Sequence, residues 1–252
     1  DTLPDPENRA LLRFSVTGLE NTLEGYDTGE LTDFYQNLME GDPLAQSWMA
    51  WKYDLLQARV DHLAQTGAAL DLYAGPITYN SHQYLYDTLF RAVVAESILL
   101  GLLCALYLVG YEGMSGTRSL TCASRTGRRL WRSKTLAALA AALGLYALLV
   151  LLTLGPYLLL WDYGGIWSAS VSSQFNYLVD MLYSRPFLTW ADFTVGSYFA
   201  AMVAAGGALV AVFTLIGTVA GLLVGNTYGA AIAAAALCAL IIGLSSLLVL
   251  FY

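Results

Sequence analysis

The chain has 252 residues, 57% of them hydrophobic and 12% charged, with a mean hydropathy of +0.56. Soluble domains carry about 25% charged residues, so the composition excludes an ordinary soluble domain and points to a membrane protein. The net charge of −7 joins two unlike parts: −10 over residues 1–90 (fourteen acids, four bases) and +3 over residues 91–252 (five acids, eight bases). This divides a solvated acidic part from a membrane-embedded part, and its acidity speaks against a nucleic-acid partner.

Residues 1–87 read as a small helical domain. Thr28 or Asp27 can cap a helix carrying Leu31, Phe34, Tyr35 and Leu38, an i, i+3, i+4, i+7 stripe. Gly41-Asp42-Pro43 breaks it. A second helix carries Leu44, Trp48, Trp51, Leu55 and Ala58, with Leu56, Val60 and Leu63 widening that face. Two such helices pack as an antiparallel pair. The stripe predicts a Trp-rich core; a ligand-binding role for the tryptophans is the other reading. Gly75-Pro76 ends the region. No cysteine lies in it, and the two histidines, His62 and His82, are twenty residues apart, so neither a disulfide framework nor a structural zinc site is expected.

Tyr79–Gly110 reads as a long helix entering the membrane, with its span at about 89–111, enough for a bilayer core that needs roughly 20 residues. Asp87 and Arg91 are spaced for an i, i+4 ion pair. Glu96 lies deeper, where an acid is costly unless paired or wet. It either reaches the interface or a neighbouring helix, or it lines a polar cavity.

Residues 112–134 follow, with Arg118, Arg125, Arg128, Arg129, Arg132 and Lys134 against one acid, Glu112; Lys/Arg-rich loops between spans stay cytoplasmic. A second span occupies 135–160, with Pro156 near its end, and Trp161, Tyr163 and Trp167 follow as an aromatic belt. In the 162–194 connection, Phe175, Leu178, Val179 and Leu182 predict a short amphipathic helix on the membrane surface. The third span, 195–224, carries Gly217 and Gly221 in register with Gly225, a small-xxx-small face for intramolecular packing or a dimer seam. A polar turn, Asn226-Thr227-Tyr228, leads to a fourth span at 229–251. The expected fold is all-α: a polytopic helix bundle (88–252) with a small helical extracytoplasmic domain (1–87). Because that domain must be exported, a further span is expected ahead of residue 1, and a returning one after Tyr252.

No nucleotide loop of the form GxxxxGK[ST], no Ser/His/Asp set and no metal-ligand cluster occurs, so no covalent chemistry is expected of this chain. The run Glu112-Gly113-Met114-Ser115-Gly116-Thr117, then Ser124-Arg125-Thr126-Gly127-Arg128, then Lys134 opening a span, resembles the segment between spans two and three of bacterial ABC-2 type transporter permeases. The resemblance extends over most of the chain and includes Glu96-Ser97 and the Asn226-Thr227-Tyr228 turn. It implies that the visible spans are two to five of six. It also implies that Glu112, Gly113, Ser115, Gly116, Thr117, Arg118 and Leu120 form a coupling segment docked on a separate ABC ATPase subunit. Arg125, Arg128, Arg129, Arg132 and Lys134 would lie at the headgroups or the ATPase surface. ATP and Mg would sit on that partner and no cofactor on this chain. A second permease half, identical or paralogous, completes the expected assembly in a bacterial plasma membrane, moving substrate outward. The competing readings are a membrane sensor whose ectodomain binds a partner, and an intramembrane enzyme resting on Glu96 alone.

Overall fold

The computed structural model describes residues 21, 23–38, 42–72, 82–123, 127–161, 163–176, 178–179, 184–185, 187–224 and 226–250. Gly75-Pro76, Arg125, Leu182 and Gly225 lie outside the described residues. Among the described residues the regular structure is helical, apart from a two-residue antiparallel pairing of β1 (Leu178–Val179) with β2 (Ser184–Arg185) and an isolated antiparallel bridge between Ser170 and Thr194. The described residues fall into two compact units, one drawn from Asp1–His82 and Gly164–Tyr198, the other from Gln83–Tyr163 and Phe199–Tyr252.

In the first unit, α1 (Gly29–Leu38) begins where the Asp27 carboxylate accepts the Gly29 N–H at 2.8 Å. The Thr28 hydroxyl turns instead to the Tyr53 carbonyl of α2 (Pro43–Thr66), at 3.3 Å. Asp42 caps α2 by accepting from the Leu44 and Ala45 N–H groups, Pro43 occupies the first turn, and Gly67 ends the helix at φ +67°. The expected core forms only in part: Val60 and Leu63 are buried as expected, with Leu56 packed against them, but it is not Trp-rich. Leu44, Trp51, Leu55 and Ala58 are exposed, while Met49, Tyr53, Val60 and Leu63 are buried. The core joins Leu23, Val60, Leu63 and Ala69, with Leu188 packed against it from far along the chain. These outside contributors cover the C-terminal half of the helix at Val60 and Leu63.

The amphipathic helix expected over 175–182 does not form among its described residues. A 3-10 turn, Gln174–Asn176, gives way to β1. Side chains compete with helical bonding here. The Ser173 hydroxyl donates to the Ser170 carbonyl at 2.6 Å, and Asn176 Nδ2 donates to the Val171 carbonyl at 3.0 Å.

In the second unit, a π-helical stretch (Leu85–Phe90) runs into α3 (Arg91–Met114). Its wider turn breaks the i, i+4 alignment on which the Asp87–Arg91 pair depended. Both residues are exposed, and the ion pairs among the described residues do not include them. A short helix α4 (Arg118–Ala123) precedes α5 (Gly127–Leu160), α6 (Val195–Leu223) and α7 (Thr227–Leu250). Three helices, His82–Met114, Arg129–Leu160 and Val195–Leu223, are long and apolar enough to cross a membrane, and α7 adds an apolar stretch over Tyr228–Ile241. By helix length and composition, this is a membrane protein.

Small residues set the spacing of these helices. A Cβ on Gly101 would collide with Thr214 Oγ1 and lie 3.3 Å from Ala142 Cβ, so α3, α5 and α6 meet there at backbone range. Gly217 faces Leu102 and Ala105, and Gly221 faces Val109, so these members of the small-residue face pack on α3 within the chain. Buried hydroxyls inside the bundle are satisfied by carbonyls, Ser97 by Val93 and Thr214 by Val210 within their own helices and Tyr146 by Val203 across from α5 to α6, each at 2.7 Å.

Candidate functional site

The basic segment between the first two apolar helices is largely helical. Lys134, expected to open a span, lies two turns inside α5, and Glu112 still belongs to α3. Between them the chain turns a corner. Gly116 takes φ +69°; its N–H reaches the Gly113 carbonyl at 3.4 Å, and the Thr117 N–H reaches the Glu112 carbonyl at 3.0 Å. This is the Schellman pairing that ends a helix on a left-handed residue, and glycine takes that conformation without a Cβ penalty. Thr117 then opens α4: its carbonyl accepts from both the N–H and the hydroxyl of Thr121 at 3.0 Å. Ser115 Oγ and Thr117 Oγ1 lie 2.9 Å apart.

Glu112 does not face outward with the rest of this segment. Its carboxylate is paired with the Lys134 ammonium, and the two side chains are only 9% and 14% exposed. Lys134 also donates to the Leu108 carbonyl at 2.6 Å. The ring centroids of Tyr111 and Trp131 lie 5.8 and 5.7 Å from the ammonium, within cation–π range. The second carboxylate oxygen of Glu112 is buried without a hydrogen-bond partner among the described residues. Ser115, Gly116, Thr117 and Leu120 are exposed, Leu120 by 74%. Gly113, Arg129 and Arg132 are exposed as well, and Arg118 begins α4 while Arg128 lies in the first turn of α5.

Glu96 lies apart from this corner. It is exposed on α3, on one face with Leu99, Leu103 and Tyr107. No group of three or more metal-ligating side chains occurs among the described residues.

A second polar cluster, in the first unit, was not anticipated. Asp192 accepts from Arg59 Nη1 at 2.6 Å and contacts His62 Nε2 at 3.1 Å, and Arg59 Nε donates to the Thr189 carbonyl at 2.6 Å. Hydrogen bonds from Arg59 first, then His62, hold the Asp192 carboxyl below its usual range. Arg59 and His62 are one turn apart on α2, which is the only local hint; a partner some 130 residues away leaves none. On the polar side of the same unit, Gln36, Asn37, Pro43, Gln46, Ser47 and Ala50 line a shallow groove without a charged group.

No family model, curated protein or solved structure matches this chain.

Proposed function

We propose that the chain is the membrane-spanning permease subunit of an ABC exporter, driven by ATP hydrolysed on a separate ATPase subunit that docks at the α3–α4–α5 corner. The observation that carries the reading is the corner itself: a six-residue helix presented outward between two apolar helices, with the ends of those helices tied by a buried ion pair. On this reading Leu120 and the Ser115–Thr117 turn meet the partner's groove. Glu112 acts behind them. By gripping Lys134 it makes the end of α3 and the start of α5 move together when α4 is pushed, so a displacement at the surface reaches both helices. ATP and Mg2+ belong to the partner, and this chain performs no hydrolysis.

The same reading places the corner on the cytoplasmic side of a bacterial plasma membrane by its Lys/Arg excess. Residues 1–87 are then extracytoplasmic, and a second permease half, identical or paralogous, completes the path. The test is co-purification with an ATPase subunit, followed by crosslinking from a cysteine at Ser115 or Thr117 after Cys122→Ser. A crosslink into the ATPase is the expected result. No ATPase in the purified complex, and labelling of the cysteine by lipid-side reagents alone, would reduce the corner to a topology anchor.

A further inference from the structure

Aromatic side chains gather where α6 begins. The Gly196 N–H donates to the Trp167 carbonyl at 3.0 Å, and a Cβ at Gly196 would lie 3.2 Å from that oxygen. Phe187 and Phe193 both pack edge-on to Tyr198 in the first turn of α6, with ring centroids 5.6 and 6.0 Å away. Thr194 and Ser197 cap the helix reciprocally, Thr194 N–H to Ser197 Oγ at 2.9 Å and Ser197 N–H to Thr194 Oγ1 at 3.2 Å. The stretch before this cap is a strap with fixed points. Leu188 packs into the core of the unit, the Thr189 carbonyl and the Asp192 carboxylate are held by Arg59, and between them Trp190 stands 67% exposed.

We propose that this strap is a membrane foot, with Trp190 and Phe187 seated at the headgroup level of the bilayer. Three observations favour a lipid surface as the occupant. The strap is continuous with α6, whose 29 residues span about 43 Å at about 1.5 Å per residue, more than the roughly 30 Å of a hydrocarbon core; this length leaves room for its first turns in the interface. Tryptophan and tyrosine favour that layer, where an amphipathic ring meets both apolar and wet surroundings. The only charged residue from Phe187 to Tyr198 is Asp192, and its charge is compensated by Arg59. Of the belt expected of Trp161, Tyr163 and Trp167, Trp161 is exposed and Tyr163 is buried. The foot rests on the spanning of α6 and is independent of any ATPase.

The test places an environment-sensitive fluorophore on a single cysteine in the full chain, with Cys104, Cys122 and Cys238 replaced by alanine, in phospholipid nanodiscs. Three sites are compared: Trp190→Cys, Leu44→Cys on exposed α2, and Val212→Cys on the exposed side of α6. At 190, quenching by a headgroup-attached spin label should exceed that by a mid-chain label by about twofold or more. At 212 the order reverses, and at 44 only aqueous iodide quenches. A probe at 190 that behaves like the one at 44, while 212 is quenched from mid-chain, overturns the foot alone. If 212 is not quenched from mid-chain, the spanning of α6 fails and the foot fails with it.

Discussion

Two ion pairs hold distant stretches of this chain together; their cations are about equally covered, 11% exposed at Arg59 and 14% at Lys134, and their carboxylates are not. Glu112–Lys134 joins two apolar helices with both side chains nearly covered, 9% and 14% exposed. Arg59–Asp192 joins a helix to a surface strap and leaves its carboxylate 69% in solvent. Water screens the second pair from its carboxylate side, and Arg59, itself only 11% exposed, keeps the Thr189 carbonyl as an acceptor if Asp192 is lost. Water cannot screen the first, where a stranded charge keeps the full cost of its burial. The buried pair is therefore brittle and directional, suited to passing a displacement between helices, whereas the open pair is a compliant fastening.

The comparison predicts a ranking of substitutions. Lys134→Met leaves Glu112 buried and unpaired and should cost about 3–5 kcal/mol, read by thermal unfolding in detergent. Adding Glu112→Gln should restore most of that stability while leaving the helix ends untied; on the permease reading, ATPase-driven transport then stays low although the protein is stable. Gly116→Ala forces a Cβ onto the left-handed residue of the corner and should cost about 1–2 kcal/mol. Asp192→Asn should cost less than about 1 kcal/mol, and the difference should shrink further with added salt. An Asp192→Asn loss larger than that of Lys134→Met would break the comparison.

The smallest expected effect is one of pH. Arg59 and His62 depress the Asp192 pKa on folding, so its contribution is complete above the ordinary carboxylate value of about 3.9 and is lost as pH falls through the lower folded value. Hydrogen exchange of residues 187–194 should accelerate only in that acid window. If exchange there is already rapid at neutral pH, the strap is not held as described.

Much of the bundle was legible from the chain alone. Apolar runs of more than twenty residues admit one reading in length and composition, and the basic cluster between two of them marks a corner whatever its fold. Gly116 and Thr117, read only as part of a coupling segment, stop one helix and open the next in the structure. The failures have a common origin in competition between local patterns. In α2 the expected face held at Val60 and Leu63, which pack with Leu23, Ala69 and Leu188, but at the start of the helix Met49 and Tyr53 are buried while Leu44 and Trp51 are exposed. Over 175–182 a helical period was present, but Ser173 and Asn176 bond nearby carbonyls and leave the ladder. At Asp87 and Arg91 a π turn rotates the partners out of register.

Hydrophobicity and helical period are properties of contiguous residues, and by themselves they determined that this protein is helical, lies in a membrane and turns a basic corner between two of its spans. Only the tertiary structure decided which acid meets which base. Glu112 finds Lys134 across 22 residues and Asp192 finds Arg59 across 133. The charge and spacing of a side chain define what it needs, but which partner supplies it depends on where packing carries the rest of the chain.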